Sequence, residues 1–212
     1  MPKTTLAPDH AKAMILAVAD AVIAAEPYLS EADRNLGDGD HGLGMQRGFT
    51  AVKEKIGTLG AEEAIDKIFS AAGMAMISSM GGASGALFGT LFRDGGKALA
   101  GRADLDAAGL AAFLRGACDG VQARGKAQPG DKTMVDALHP AAARAAELTG
   151  LSLPEAIDAV AAAAEAGREA SKAMIATLGR AKTLGEASIG HPDAGACSVV
   201  VILGAMREYI NA

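Results

Sequence analysis

The sequence predicts an all-α fold, an antiparallel up-and-down array of helices built as one domain over residues 1–212. Three observations predict it. Apolar residues recur with helical periodicity in eight blocks, at 9–28, 43–57, 61–79, 85–100, 105–123, 132–149, 153–176 and 195–211. Aromatics are 3% of the chain, with no Trp and abundant Ala and Gly, which suits closely spaced helices better than a sandwich of bulky cross-strand pairs. Only "CSVVVILGAM" in the last block has a strand-like density of β-branched residues, and it finds no second strand to pair with, so it is assigned to helix.

The first block contains "MILAVADAVIAAE", which Asp20 interrupts and Glu26 ends. With no basic stretch or cleavage signal before it, it reads as an amphipathic helix rather than a leader. No run reaches the roughly 18 to 20 apolar residues needed to span a bilayer, so a soluble chain with no membrane partner is expected. Asp9 is a candidate cap for block one and Asp104 for block five, each offering a carboxylate to free amide hydrogens. Ser152 and Glu155 form an S-x-x-E capping box before block seven, with Pro154 tolerated in the first turn.

The connections are of two kinds. "GTLGAE", "AGRADL" and "TGLSLP" are short turns, whereas "SEADRNLGDGDHG", "SMGGASG", "ARGKAQPGD" and "LGRAKTLGEASIGHPDAG" are long or glycine-rich. In an up-and-down array alternate connections share an end, so the four unusual segments should meet on one face.

Charge and cysteine content narrow the function. With 21% charged residues and a net charge of −5 there is no basic footprint, which argues against nucleic acid as a partner. Cys118 and Cys197 fit neither a metal spacing nor a disulfide framework, so a cytoplasmic location is expected.

At the loaded end, Asp38 and Asp40 flank Gly39, and Asp33 lies five residues earlier. Left unpaired, three converging carboxylates repel, and a hard divalent cation removes the conflict. An EF-hand is excluded, because position twelve is Phe49 counted from Asp38 and Gly44 counted from Asp33. Mg²⁺ shared with phosphate oxygens fits better; the competing reading is that these residues cap the second helix. "GGASG" at 81–85 opens a helix, aiming the amides of Ala83, Ser84 and Gly85 outward where an anion is favoured, or else it is a tight hairpin turn. "GVQARGKA" at 120–127 has Walker-like spacing but lacks the Ser or Thr and leaves a helix, so it is declined as a P-loop. Its Gly125 permits close approach, and Lys126 and Lys132 bring positive charge. The fourth loop offers Arg180, Lys182, His191 and Asp193, the last as ligand contact or helix cap. His41 and His191 have no Ser or Cys partner in view, so no protein nucleophile is assigned. Met74 and Met134 are read as core residues at helical spacing, with a loop-side Met able to pack on a flat base. Together these pieces describe a Mg²⁺-nucleotide site suited to phosphoryl transfer, without an obvious acceptor pocket.

Four motifs, "GDGDHGLGMQRGF", "SSMGGASGALFGTLF", "RGKAQPGDKTMVDALHP" and "GRAKTLGEASIGHPDAGACSV", resemble in order and spacing the L-subunit family of bacterial dihydroxyacetone kinases (DhaL). The resemblance implies an antiparallel eight-helix barrel with the nucleotide, ADP or ATP, in the loops at one end. It implies that Asp33, Asp38 and Asp40 ligate two Mg²⁺ ions, and that the nucleotide meets His41, Gly42, Leu43, Gly44, Ala83, Ser84, Gly125, Met134, Arg180, Asp193, Ala194 and Gly195. Gly39 and Gly44 depart from the Ala and Asn expected in some relatives, the second removing a polar contact. The resemblance further implies a phosphotransferase whose ketone, dihydroxyacetone, is held on a separate K-type subunit. In phosphotransferase-linked systems an M-type subunit rephosphorylates the resident ADP from a phosphohistidine, and this donor is favoured over free ATP. Because the chain ends directly after block eight, it is expected to be a separate subunit. The alternatives are an ATP-dependent kinase for another small ketose such as erythrulose, and a nucleotide-dependent regulatory module that binds a transcription regulator; a homodimer is left open.

Overall fold

A computed structural model of the chain describes residues 3–60 and 62–212. Among these, nine α-helices form: α1 (Pro8–Ala24), α2 (Glu26–Arg34), α3 (His41–Gly57), α4 (Ile65–Ser79), α5 (Gly82–Lys97), α6 (Ala107–Gly125), α7 (Val135–Ala146), α8 (Leu153–Ser171) and α9 (Ala194–Asn211). From α3 to α9 each helix packs on its chain neighbour, α1 packs on α3, and α9 packs back on α1. The ring therefore closes into a barrel of eight walls, with α1 and α2 together making one. The strand-like last block is helix throughout α9. Among the described residues no single helix is long and apolar enough to cross a membrane.

The first block is broken where the periodicity predicts continuity. Ala25 ends α1 and begins α2, and the two helices bend by 53°. Pro27 supplies the reason: it has no N–H for the Ile23 carbonyl, and its ring crowds that carbonyl. Block three begins only at Ile65, and Ala61 lies outside the described residues. Block six starts at Val135 and block seven ends at Ser171, both later or earlier than the apolar pattern suggests because the flanking residues belong to site loops. The Ser152–Glu155 capping box forms as expected. Asp104 does not cap α6; Asp106 does, accepting the Gly109 amide at 2.6 Å. Asp9 lies inside the first turn of α1, where Ala7 occupies the cap, so its carboxylate favours the helix dipole without capping and stands 3.4 Å from His10 Nδ1.

Close approach, bought by small residues, holds the walls together. A Cβ on Gly73 of α4 would lie 2.5 Å from the Gly89 carbonyl oxygen of α5, and one on Gly95 would lie 2.6 Å from the Phe113 ring of α6. The few aromatics fill the centre: Phe69 and Phe113 stand 4.8 Å apart, and Phe92 links Phe113 to Phe49. Met74 departs from its expected place in this core, being 53% exposed on α4. Cys118 and Cys197 are free and buried.

Candidate functional site

The four long connections do meet, lining one cleft of about 1000 Å³ at the end of the barrel. The segment from α2 to α3 contributes Asp33, Asp38, Asp40, His41 and Gly44; the α4–α5 turn contributes Gly81 to Ser84. Gly125 and Met134 come from the α6–α7 loop, and Arg180 with Asp193 to Gly195 from the segment before α9. Gly42 and Leu43 do not line it. Gly42 faces α2, where an added Cβ would lie 2.3 Å from the Glu26 carbonyl oxygen, and Leu43 points to solvent with 54% exposure. One helical turn separates the faces of α3: His41 and Gly44 look into the cleft, the two residues between them look away.

Three carboxylates converge in this cleft, with ligand oxygens of Asp33, Asp38 and Asp40 all within 4.8 Å of one another. Asp33 is at the end of α2 and accepts the His41 amide hydrogen at 3.2 Å, tying α2 to the start of α3. Gly39 between the other two has φ 76°, a left-handed conformation, and a Cβ there would lie 2.8 Å from Arg34 Cγ. This local backbone accounts for glycine where some relatives were expected to carry Ala. Asp40 occupies the N-cap of α3 without capping it, leaving its carboxylate free for another partner. Arg180 pairs with Asp38 and stands 3.8 Å from Asp40, reaching in from a side chain that is 65% exposed. The donor set is all oxygen and anionic, as a hard divalent cation requires.

Beside the carboxylates lies the start of α5. Gly81 and Gly82 both take positive φ, 69° and 59°, which turns the chain sharply out of α4. The Gly85 amide, counted as free from the sequence, is donated to the Gly81 carbonyl at 3.1 Å. The unpartnered amides are those of Gly82, Ala83 and Ser84, one position earlier. A Cβ at Gly81, Gly82 or Gly44 meets nothing within 4 Å, so an anion can approach this backbone unobstructed.

His41 has a partner the sequence did not disclose. Its Nε2 lies 2.7 Å from Ser198 Oγ on α9, 157 positions away. Ser198 is fully buried, so the pair is no nucleophile; it pins α3 to α9. Burial holds the imidazole below its ordinary pKa, against a weaker upward pull from Asp33, and the ring is neutral at pH 7. Asp193 caps α9 by accepting the Ala196 amide hydrogen at 2.8 Å, and it also lines the cleft. Burial pushes its carboxyl up to about 7, Lys132 and two amides opposing. Met134 is buried, as a core residue would be, and it also lines the cleft. Lys126 is exposed at the α6 end in a left-handed conformation, and the Walker-like spacing falls inside that helix end, which supports declining it. Lys132 offers no open charge, because its ammonium is tied to protein carbonyls.

Sequence reasoning missed Arg47, Arg93, Asp94 and Arg124, which also line the cleft. Arg47 falls inside the first acidic motif and was open to notice. Arg93 and Asp94 pair with each other in mid-helix at 2.8 Å and look in the sequence like any solvated face.

A model of the DAK2 domain matches residues 35–208. Over 178 residues the chain is 44% identical to the ADP-binding subunit DhaL of the PEP-dependent dihydroxyacetone kinase of Escherichia coli, covering 83% of this chain and 84% of that one. It is 39% identical over 180 residues to the corresponding subunit of kinase 1 of Listeria innocua, covering 85% of each. An L-erythrulose kinase of Pectobacterium atrosepticum is 37% identical over 202 residues, which is 94% of this chain and 34% of that protein. The crystal structure of the C. freundii dihydroxyacetone kinase with AMP-PNP and Mg²⁺ superposes with a TM-score of 0.71 at 23% identity, over 98% of this chain and 34% of that one, a likeness of fold.

Proposed function

Because the chain belongs to the DAK2 domain family, we propose that it is the nucleotide-binding subunit of a dihydroxyacetone kinase. The observation that carries this reading is the convergence of Asp33, Asp38 and Asp40 opposite the free amides of α5 in one cleft. Relatives at 44% and 39% identity that bear this name support it. Asp33, Asp38 and Asp40 would hold Mg²⁺, two ions in this reading, and the Gly82 to Ser84 amides would hold a phosphate. When bound, Mg²⁺ neutralises the phosphate charge and polarises the phosphoryl group to be transferred. Arg180, already beside the carboxylates on an exposed side chain, would clamp phosphate oxygens bidentately. Gly44 leaves its side of the cleft open, and Met134 would pack against the base.

In this reading dihydroxyacetone is held by a K-type partner subunit. ADP is rephosphorylated in place by a phosphohistidine of an M-type subunit, a donor supported by the PEP-dependent relatives. Erythrulose as acceptor is the second reading, favoured by the relative named for that substrate. Native mass spectrometry of the full chain, before and after a chelator, tests the site. Reconstitution with a K-type subunit, each ketose and either donor, followed by phosphorus NMR, tests the transfer. ADP retained with two Mg²⁺ and released by chelation, then phosphate reaching dihydroxyacetone, is expected. A chain that binds neither Mg·ADP nor Mg·ATP would overturn the proposal.

A further inference from the structure

Lys132 is the one lysine sealed in the protein among the described residues, 1% exposed at the wall of the cleft. Its backbone is left-handed, φ 60°, in a residue type that rarely adopts that conformation. A buried ammonium and a strained backbone at one position persist only where the surroundings over-determine them. Here they do. Nζ donates to the Ser171 carbonyl at 2.6 Å and to the His191 carbonyl at 2.7 Å. The first is a carbonyl at the C-terminal end of α8, where a cation is favoured and which also accepts the Met174 amide hydrogen at 3.2 Å; the second lies two residues before Asp193. The Asp193 amide in turn donates to Ser171 Oγ at 3.1 Å, and the Gly190 amide to the Lys172 carbonyl at 2.7 Å. Burial holds the ammonium below its ordinary pKa, and the charges of Asp193 and Asp136 oppose that only in part. Asp136 itself accepts the Gly130 and Thr133 amides, bracing the loop from which Lys132 springs.

We infer that Lys132 is a positioning residue of the nucleotide site, bolting the loop that carries Met134 to the turn 193–195 through protein carbonyls rather than binding phosphate. The inference rests on the functional reading above and deepens it. Two of its three donors are spent on carbonyls, and Asp136 and Asp193 act on its charge from beyond ion-pair distance, so the ammonium is held by the protein itself. Nucleotide affinity then depends on a charge that the nucleotide does not meet.

Calorimetric titration of the full chain with Mg·ADP and with adenosine, for wild type, Lys132→Met and Lys132→Arg, tests this. Lys132→Met keeps the length of the side chain and removes its charge. The expected result is binding weaker by about ten- to a hundred-fold, in the same proportion for both ligands, with faster amide exchange at 190–196 and partial recovery in Lys132→Arg. Unchanged affinity in Lys132→Met overturns the inference, as does a loss confined to ADP, which would make Lys132 a phosphate ligand. Wild type that binds no Mg·ADP overturns the functional reading and this inference with it. If Lys132→Met does not fold, the wild-type protein decides through the ¹⁵N signal of the Lys132 ammonium. Slow solvent exchange with no coupling to phosphorus in the Mg·ADP complex upholds the role, and coupling to phosphorus overturns it.

Discussion

Replacing Asp40 by asparagine should remove binding and leave folding intact. Its side chain is 68% exposed, caps nothing, and has a ligand oxygen within 4.8 Å of both Asp33 and Asp38. Two unit charges 4.8 Å apart in water repel by about 0.9 kcal/mol, and physiological salt roughly halves this to about 0.5 kcal/mol. The variant escapes two such repulsions, about 1 kcal/mol in its favour. It forfeits attraction to Arg180 at 3.8 Å, about 0.7 kcal/mol on the same footing, and about 0.3 kcal/mol with the α3 dipole. The terms cancel, so the unfolding midpoint without nucleotide should move by no more than about 2 °C. Binding has no such cancellation. Partners one shell outside a metal are worth about 10- to 100-fold in affinity, so losing an anionic ligand should cost Mg·ADP at least about 100-fold. Titration calorimetry with Mg·ADP, set beside a melt followed by circular dichroism, reads both quantities. Wild-type affinity in Asp40→Asn, or a midpoint lowered by more than about 5 °C, would refute the reasoning.

Other expectations concern particular contacts. Pro140 in α7 leaves the Asp136 carbonyl without its helical donor, and α8 packs on that carbonyl at Gly167, where a Cβ would lie 2.0 Å from the oxygen. Gly167→Ala should therefore destabilise by about 1–3 kcal/mol in urea unfolding despite its better helix propensity. Ser152→Ala removes the capping box of α8 and should cost about 1 kcal/mol by the same assay, with Mg·ADP affinity unchanged because α8 begins at the far end of the barrel. For Asp193 the sign follows from burial: a carboxyl raised from 3.8 to about 7 holds its proton more tightly folded than unfolded. Its contribution is full below pH 3.8 and is lost as pH rises through about 7, so wild type should lose stability against Asp193→Asn between pH 5 and 8. Parallel curves for the two proteins in denaturant titrations across that range would count against a buried carboxyl.

Helical periodicity, a composition of small residues and the alternation of short turns with glycine-rich loops determined the helical class, the eight walls of the barrel and the end at which the site lies. They sufficed because each is local: a periodic apolar stripe needs a core, and alternate connections of an up-and-down array share an end. The carboxylates at 33, 38 and 40 were legible for the same reason, falling within eight consecutive residues from the end of α2 to the start of α3. Pro27 was also legible as a break, although the apolar run across it suggested one helix. Tertiary structure alone decided which face of α3 meets the cleft, setting His41 and Gly44 inside and Gly42 and Leu43 outside. It alone joined His41 to Ser198 and turned Lys132 inward to carbonyls 39 and 59 positions away. A charge in a loop reads as solvated until the chain around it is closed. Here closure of the barrel removes the water from Lys132, and only protein carbonyls remain to replace it.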